Sequence, residues 1–167
     1  MSQNARVRIL PTLAAAALLA VAGGCGASQP EQQPVEFLEQ VFGHLYRGEH
    51  AAAWDMLYPA HQDVVSRAAY AACERNAPAF AGRLELVEVL AEREEDWHVA
   101  GDREARPSTA VTYRVTVSLA GEEEMFTADG HLVAVDGAWR WILKPSDFEA
   151  YRTGRCPVTQ APTQANA

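Results

Sequence analysis

Hydrophobic positions in the first half of the chain follow a helical period. Val35, Leu38, Val41, Phe42 and Leu45 fall on one stripe, the spacing of an amphipathic helix, and Gly48 ends it. Ala52, Ala53, Trp54 and Leu57 predict a second helix, which Pro59 stops soon after Tyr58. Ser66 is a fitting N-cap for a third helix through Ala69, Tyr70 and Cys73 to about Asn76, with Pro78 beyond and a turn around Phe80 ending at Gly82. The second half changes period from 3.6 to 2. Leu84 to Ala91 predicts a strand, the acidic run Glu92 to Asp96 an exposed bend, and Trp97 to Val99 a resumed strand. Val111, Tyr113, Val115, Val117 and Leu119 alternate with polar residues, the clearest strand of the chain. Gly121 with Glu122 to Glu124 reads as a turn and Met125 to Val135 as the returning strand. Asp136-Gly137 is a strong two-residue hairpin signal. Ala138 to Leu143 completes the sheet, and Lys144-Pro145-Ser146 ends it. Three helices followed by an antiparallel meander is an α+β pattern, in which the helices must cover one face of the sheet.

At 167 residues the chain is long enough for one ordinary domain. A net charge of −8 argues against a phosphate-binding surface and so against nucleic acid. The N-terminus sets the address. Arg6 and Arg8 precede an uncharged run from Ile9 to Ala22, which is too short to span a bilayer and reads as a secretory signal. Ala22-Gly23-Gly24-Cys25 then resembles the lipobox of bacterial lipoproteins, with Ala22 where that family favours Leu, Val or Ile. The resemblance implies cleavage after residue 24, a lipidated Cys25, and a protein held at the extracytoplasmic face of the cell membrane by its acyl chains. Cleavage also removes two arginines, so the acidic remainder has no electrostatic attraction to anionic headgroups. If Cys25 carries lipid, Cys73 and Cys156 remain as an even pair in an oxidising compartment, expected as a disulfide; two free buried thiols are the other reading. Residues 25–34 read as the lipidated Cys and a tether, 35–157 as the domain, and 158–167 as a frayed tail.

From Val35 to Leu143 the order of elements is similar to the NTF2-like (cystatin-like) superfamily. The opening Tyr46-Arg47-Gly48-Glu49 with Ala53-Trp54-Asp55-Met56-Leu57, and the closing Val135-Asp136-Gly137-Ala138-Trp139-Arg140-Trp141, carry the resemblance. It implies a cone, in which a curved sheet wraps the first helix and leaves a pocket at the wide end. Trp54, Phe42, Tyr113 and Trp139 are then candidates to line that pocket around an apolar small molecule. Some members of the superfamily are ketosteroid isomerases or polyketide cyclases, which need a titratable group beside an apolar wall and a hydroxyl donor. Asp129 and His131, two apart on one strand, with Tyr113 and Tyr46, are the candidates for such a site. The same residues also read as Asp129 and His131 facing solvent on the convex side, with Tyr113 in the core. No catalytic motif supports the enzyme. His44, His50 and His61 lack ligand spacing and the cysteines have no C-x-x-C partner, so neither metal nor cofactor is expected. The expectation is a binder, of an apolar small molecule or of an envelope protein on the open sheet. The alternatives are an isomerase- or cyclase-type pocket enzyme and a structural subunit of an envelope complex. A homodimer, frequent in that superfamily, is required by no residue of this chain.

Overall fold

The computed structural model describes residues 30–76 and 82–158. The signal-like segment, Cys25, the turn around Phe80 and most of the C-terminal tail lie outside the described residues. Among the described residues no helix is long and apolar enough to cross a membrane.

The first helix, α1, runs Pro34–Tyr46. Proline opens it, where its missing N–H costs nothing, and the Glu36 carboxylate accepts the Gln33 N–H at 3.3 Å. Its buried stripe is Phe37, Leu38, Val41, Phe42 and Leu45, with Phe37 rather than Val35 at the leading edge. Next come α2 (His50–Asp55), α3 (Pro59–Gln62) and α4 (Arg67–Glu74), then β1 (Arg83–Trp97), β2 (Arg106–Leu119), β3 (Glu122–Val135), β4 (Ala138–Trp141) and α5 (Pro145–Arg152). The four strands form an antiparallel meander in the order β1-β2-β3-β4. Val111, Val115 and Val117 of β2 are buried on the inner face, together with Val87 of β1 and Leu132 of β3, in one cluster with α1. A smaller cluster of Tyr58, Val99 and Val133 lies on the outer face. Ser66 caps α4, its hydroxyl accepting the Ala69 N–H at 3.2 Å.

Several expectations are corrected. The acidic run is not a bend: β1 continues through Glu92–Asp96 to Trp97, paired residue for residue with β2. Its charges lie on an edge strand, which also bulges between Leu84 and Leu86 and between Val89 and Ala91. Charge and bulges are what keep such an edge from pairing with another chain. Glu122 to Glu124 are likewise strand, opposite Leu119, Ser118 and Val117. Pro59 does not stop a helix but opens α3, and Pro145 opens α5, which the sequence pattern does not predict. Between α2 and α3 the chain is extended. Leu57 bridges Trp141 in parallel, with Tyr58 N–H on the Trp141 carbonyl at 2.9 Å and Trp141 N–H on the Met56 carbonyl at 3.2 Å.

Two contacts fasten the C-terminal part to the helices. Cys73 and Cys156 form a disulfide, tying α4 to the segment after α5. Beside it the Tyr151 hydroxyl donates to Glu74 at 2.7 Å. Burial, the largest effect, raises the Glu74 carboxyl above its ordinary range against the lowering by that bond. His61, fully buried, is the second fastening: its Nδ1 accepts the Leu143 N–H and its Nε2 lies 2.9 Å from the Ala100 carbonyl. A backbone N–H can only donate, so Nδ1 is the bare nitrogen and Nε2 carries the proton.

Both hairpins turn through two residues with positive φ: Asp136 (51°) with Gly137 (75°), and Ala120 (54°) with Gly121 (92°). This is the turn that matches strand twist, but alanine gains nothing from the left-handed region it must occupy there. Ala120→Asn should raise stability by about 0.5–1 kcal/mol, read as a higher denaturant midpoint at unchanged m. A lower midpoint would mean that the turn is held by something other than its backbone preference.

Candidate functional site

Two depressions of the described surface border candidate residues. The larger, of about 370 Å³, opens where α1, α2 and β4 meet. From α1 it takes Phe37, Gln40 and His44; from α2 and the residue after it, Ala52, Asp55 and Met56; from β4, Ala138, Trp139 and Arg140. Gln32 closes the end, its carbonyl accepting the Trp139 indole N–H at 2.7 Å. One half of the lining is thus apolar, and the other carries a guanidinium, two amides, an imidazole and a carboxylate. Asp55 is already engaged, holding Arg67 through two bonds of 2.9 and 2.7 Å. His44 Nδ1 is 2.7 Å from Glu49, and Arg47 first, then His44, hold Glu49 down to about 2. Among the described residues the Arg140 side chain has a single bond, 3.3 Å to the Trp139 carbonyl.

The second depression, of about 300 Å³, lies on the outer face over Ala91 and Ala110. Asp129 and His131 both border it. Asp129 accepts the Thr112 hydroxyl at 2.6 Å, and His131 Nε2 is 2.7 Å from Glu95. The His131 ring stacks on Trp97, centroids 3.8 Å apart and planes at 16°. The bond from His131, then that from Arg93, lowers the Glu95 carboxyl.

Tyr113 lies on the opposite, inner face, against Phe42 with ring centroids 5.3 Å apart. Its ring covers Gly130, where an added Cβ would sit 3.3 Å from Cε1. Burial is the main reason its hydroxyl is pushed up to about 12. Tyr46, at the end of α1, is also pushed up to about 12, by burial and then by Glu124. The four candidates for acid–base chemistry are therefore divided: two tyrosines inside, Asp129 and His131 outside, with the sheet between. Of the four candidate pocket-lining side chains, Trp139 lines the larger groove. Phe42 and Tyr113 pack on each other, and Trp54 donates its indole N–H to the Val65 carbonyl at 2.9 Å and borders neither depression. Among the described residues no group of three or more His, Cys, Asp or Glu is placed to hold a metal ion.

Phe37, one of the aromatic residues that the sequence offers as a pocket wall, lines the groove, whereas Arg140, Gln40 and Gln32 are groove residues that the sequence pattern does not single out. The one available signal is an arginine between two tryptophans in Trp139-Arg140-Trp141. No protein-family model matches the chain, and no curated protein matches it. A solved structure that does match is that of a SEC-C motif containing protein from Psychrobacter arcticus, with 12% identity and a TM-score of 0.42 over 66% of this chain. The chain spans 58% of the length of that protein.

Proposed function

We propose that this chain is a lipid-anchored cell-envelope protein whose single NTF2-like domain binds a small molecule with an apolar part in the groove between α1, α2 and β4. The observation that carries this reading is the groove itself, where Met56 and the edges of the buried Phe37 and Trp139 rings stand beside an equal share of polar residues. The lipobox-like Ala22-Gly23-Gly24-Cys25 supports the anchor, and a meander packed on a long first helix supports the superfamily. Binding rather than catalysis is favoured because the two tyrosines and the Asp129–His131 pair lie on opposite faces of the sheet.

The test is intact mass of the protein extracted in mild detergent from its own cells, native and then denatured. The native spectrum should carry an extra small-molecule mass, and Ala52→Trp, which fills the groove from its α2 wall, should lose it. An extra mass retained by that variant, or a bare native mass in both proteins, overturns the groove reading. The denatured mass should show acyl chains on Cys25. Its absence overturns the anchor alone.

A second reading has its own observation. Leu86 and Met125 are 47% and 68% exposed and flank Thr116 in one row of the outer face, a surface suited to an envelope protein partner. That role, including the structural-subunit form of it, becomes the leading one if the native mass is bare.

A further inference from the structure

Arginine is costly to bury without a partner. Among the described residues three arginines are half-buried, namely Arg106, Arg114 and Arg140. Asp102 holds the first and Glu88 the second. Among the described residues Arg140 has no carboxylate, although acidic residues outnumber basic ones by 22 to 14 in this chain. A guanidinium has five N–H donors in a planar fork, and among the described residues only one of these is used, on a backbone carbonyl at 3.3 Å. The one carboxylate in the groove, Asp55, already holds Arg67 in the paired geometry that Arg140 lacks. The groove therefore contains a closed acid and an open base, with the amides of Gln32 and Gln40 as further donors beside it.

We infer that the groove recognises an organic monocarboxylate, its carboxylate taken by Arg140 and its apolar body lying against Met56 and the edges of Phe37 and Trp139 that reach the groove. This rests on the groove reading above and adds the charge of the ligand. A single fork matches one carboxylate through two parallel bonds. A doubly charged phosphate would find one cation there and a chain of net charge −8 around it. The volume of about 370 Å³ is at the small end for ligand sites, which limits the body to roughly a single ring or short chain.

The probes are phenylacetate, 2-phenylethanol and benzylphosphonate, titrated into the full chain while the four tryptophan indole N–H resonances are followed by NMR. The Trp139 signal is assigned by its loss in Trp139→Phe. Phenylacetate should move that signal with a Kd at least about tenfold below that of 2-phenylethanol, as charge-assisted hydrogen bonds warrant. Arg140→Gln should bring the acid down to the alcohol, and Arg140→Lys, which keeps the charge without the fork, should retain part of the preference. Acid and alcohol binding equally would overturn the monocarboxylate and leave the groove reading standing. Tighter binding of the doubly ionised phosphonate would overturn it in favour of a phosphate-bearing ligand. If none of the three moves the Trp139 signal, both readings fall together. The other indole signals report whether each variant has kept its fold.

Discussion

Serine at both Cys73 and Cys156 should lower the free energy of unfolding by about 4.5 kcal/mol. The bond closes a loop of 83 residues, and in the chain-entropy description a loop of that length removes about this much freedom from the unfolded chain. The folded state gives little in return when the bond is cut. Helix α4 has only eight residues, and the ties that it keeps to α5 include the Tyr70–Tyr151 ring contact at 5.8 Å and the Tyr151–Glu74 hydrogen bond. Unfolding followed by circular dichroism should show a midpoint roughly 15 °C lower, and reductant should move the unmodified protein to the same value. A loss below about 1 kcal/mol would mean that packing alone holds this seam.

Replacing His61 by phenylalanine should cost about 3 kcal/mol near neutral pH. Phenylalanine keeps the ring between Tyr58 and Phe148, 5.6 and 5.0 Å away by centroid. It leaves the Leu143 N–H and the Ala100 carbonyl without partners, each a buried polar group that costs about 1–3 kcal/mol. The variant should also change the pH dependence. Burial, the largest effect, depresses His61 below its usual 6.5, against the raising by the Ala100 bond and Asp102. A depressed histidine gives stability that is fully present above the unfolded value and is lost as pH falls through the folded one. Wild-type stability should therefore decline as pH drops below about 6.5. His61→Phe should lose most of that decline, keeping the part due to His50, which burial and then Arg75 depress in the same direction. Glu74 acts with the opposite sign: its raised carboxyl favours the fold as pH falls, from above the ordinary carboxylate range downward, and it does so equally in both proteins. Parallel curves for the two proteins between about pH 5 and 7, from ~1.5 units below an ordinary histidine to ~0.5 above it, would remove His61 as the cause of the decline.

Much of the fold is legible in local periodicity. The α1 stripe, the alternation of β2, the Asp136-Gly137 turn and the Ser66 cap each follow from a few neighbouring residues, and the structure has all four. The α+β class and the meander order follow from them, and the cysteine pair from its count. What local pattern misreads is an edge strand. Glu92 to Asp96 shows no apolar alternation because β1 has one lateral neighbour and little to cover its far end, yet β2 holds it in register to Trp97. Helix α5 buries only Phe148 and Tyr151, too short a stripe to stand out after a proline. The larger groove is harder still, since it is assembled from Gln32 to Met56 on one side and Ala138 to Arg140 on the other. Nothing near Arg140 in sequence announces that its guanidinium will be left without an acid.

The Trp139 bond to the Gln32 carbonyl fixes where the chain departs from the domain, and so where any pull on the N-terminus is felt. That corner is also the end wall of the larger groove. From Cys25 the backbone can reach at most roughly 25 Å to Gln32, at ~3.5 Å per residue. If Cys25 carries the lipid proposed above, a leash of that length would hold the groove mouth in a thin layer beside the bilayer instead of the open volume beyond it. A ligand that partitions to the membrane surface would then meet its site by a search in two dimensions, and tension on the leash would reach the groove through the same indole bond.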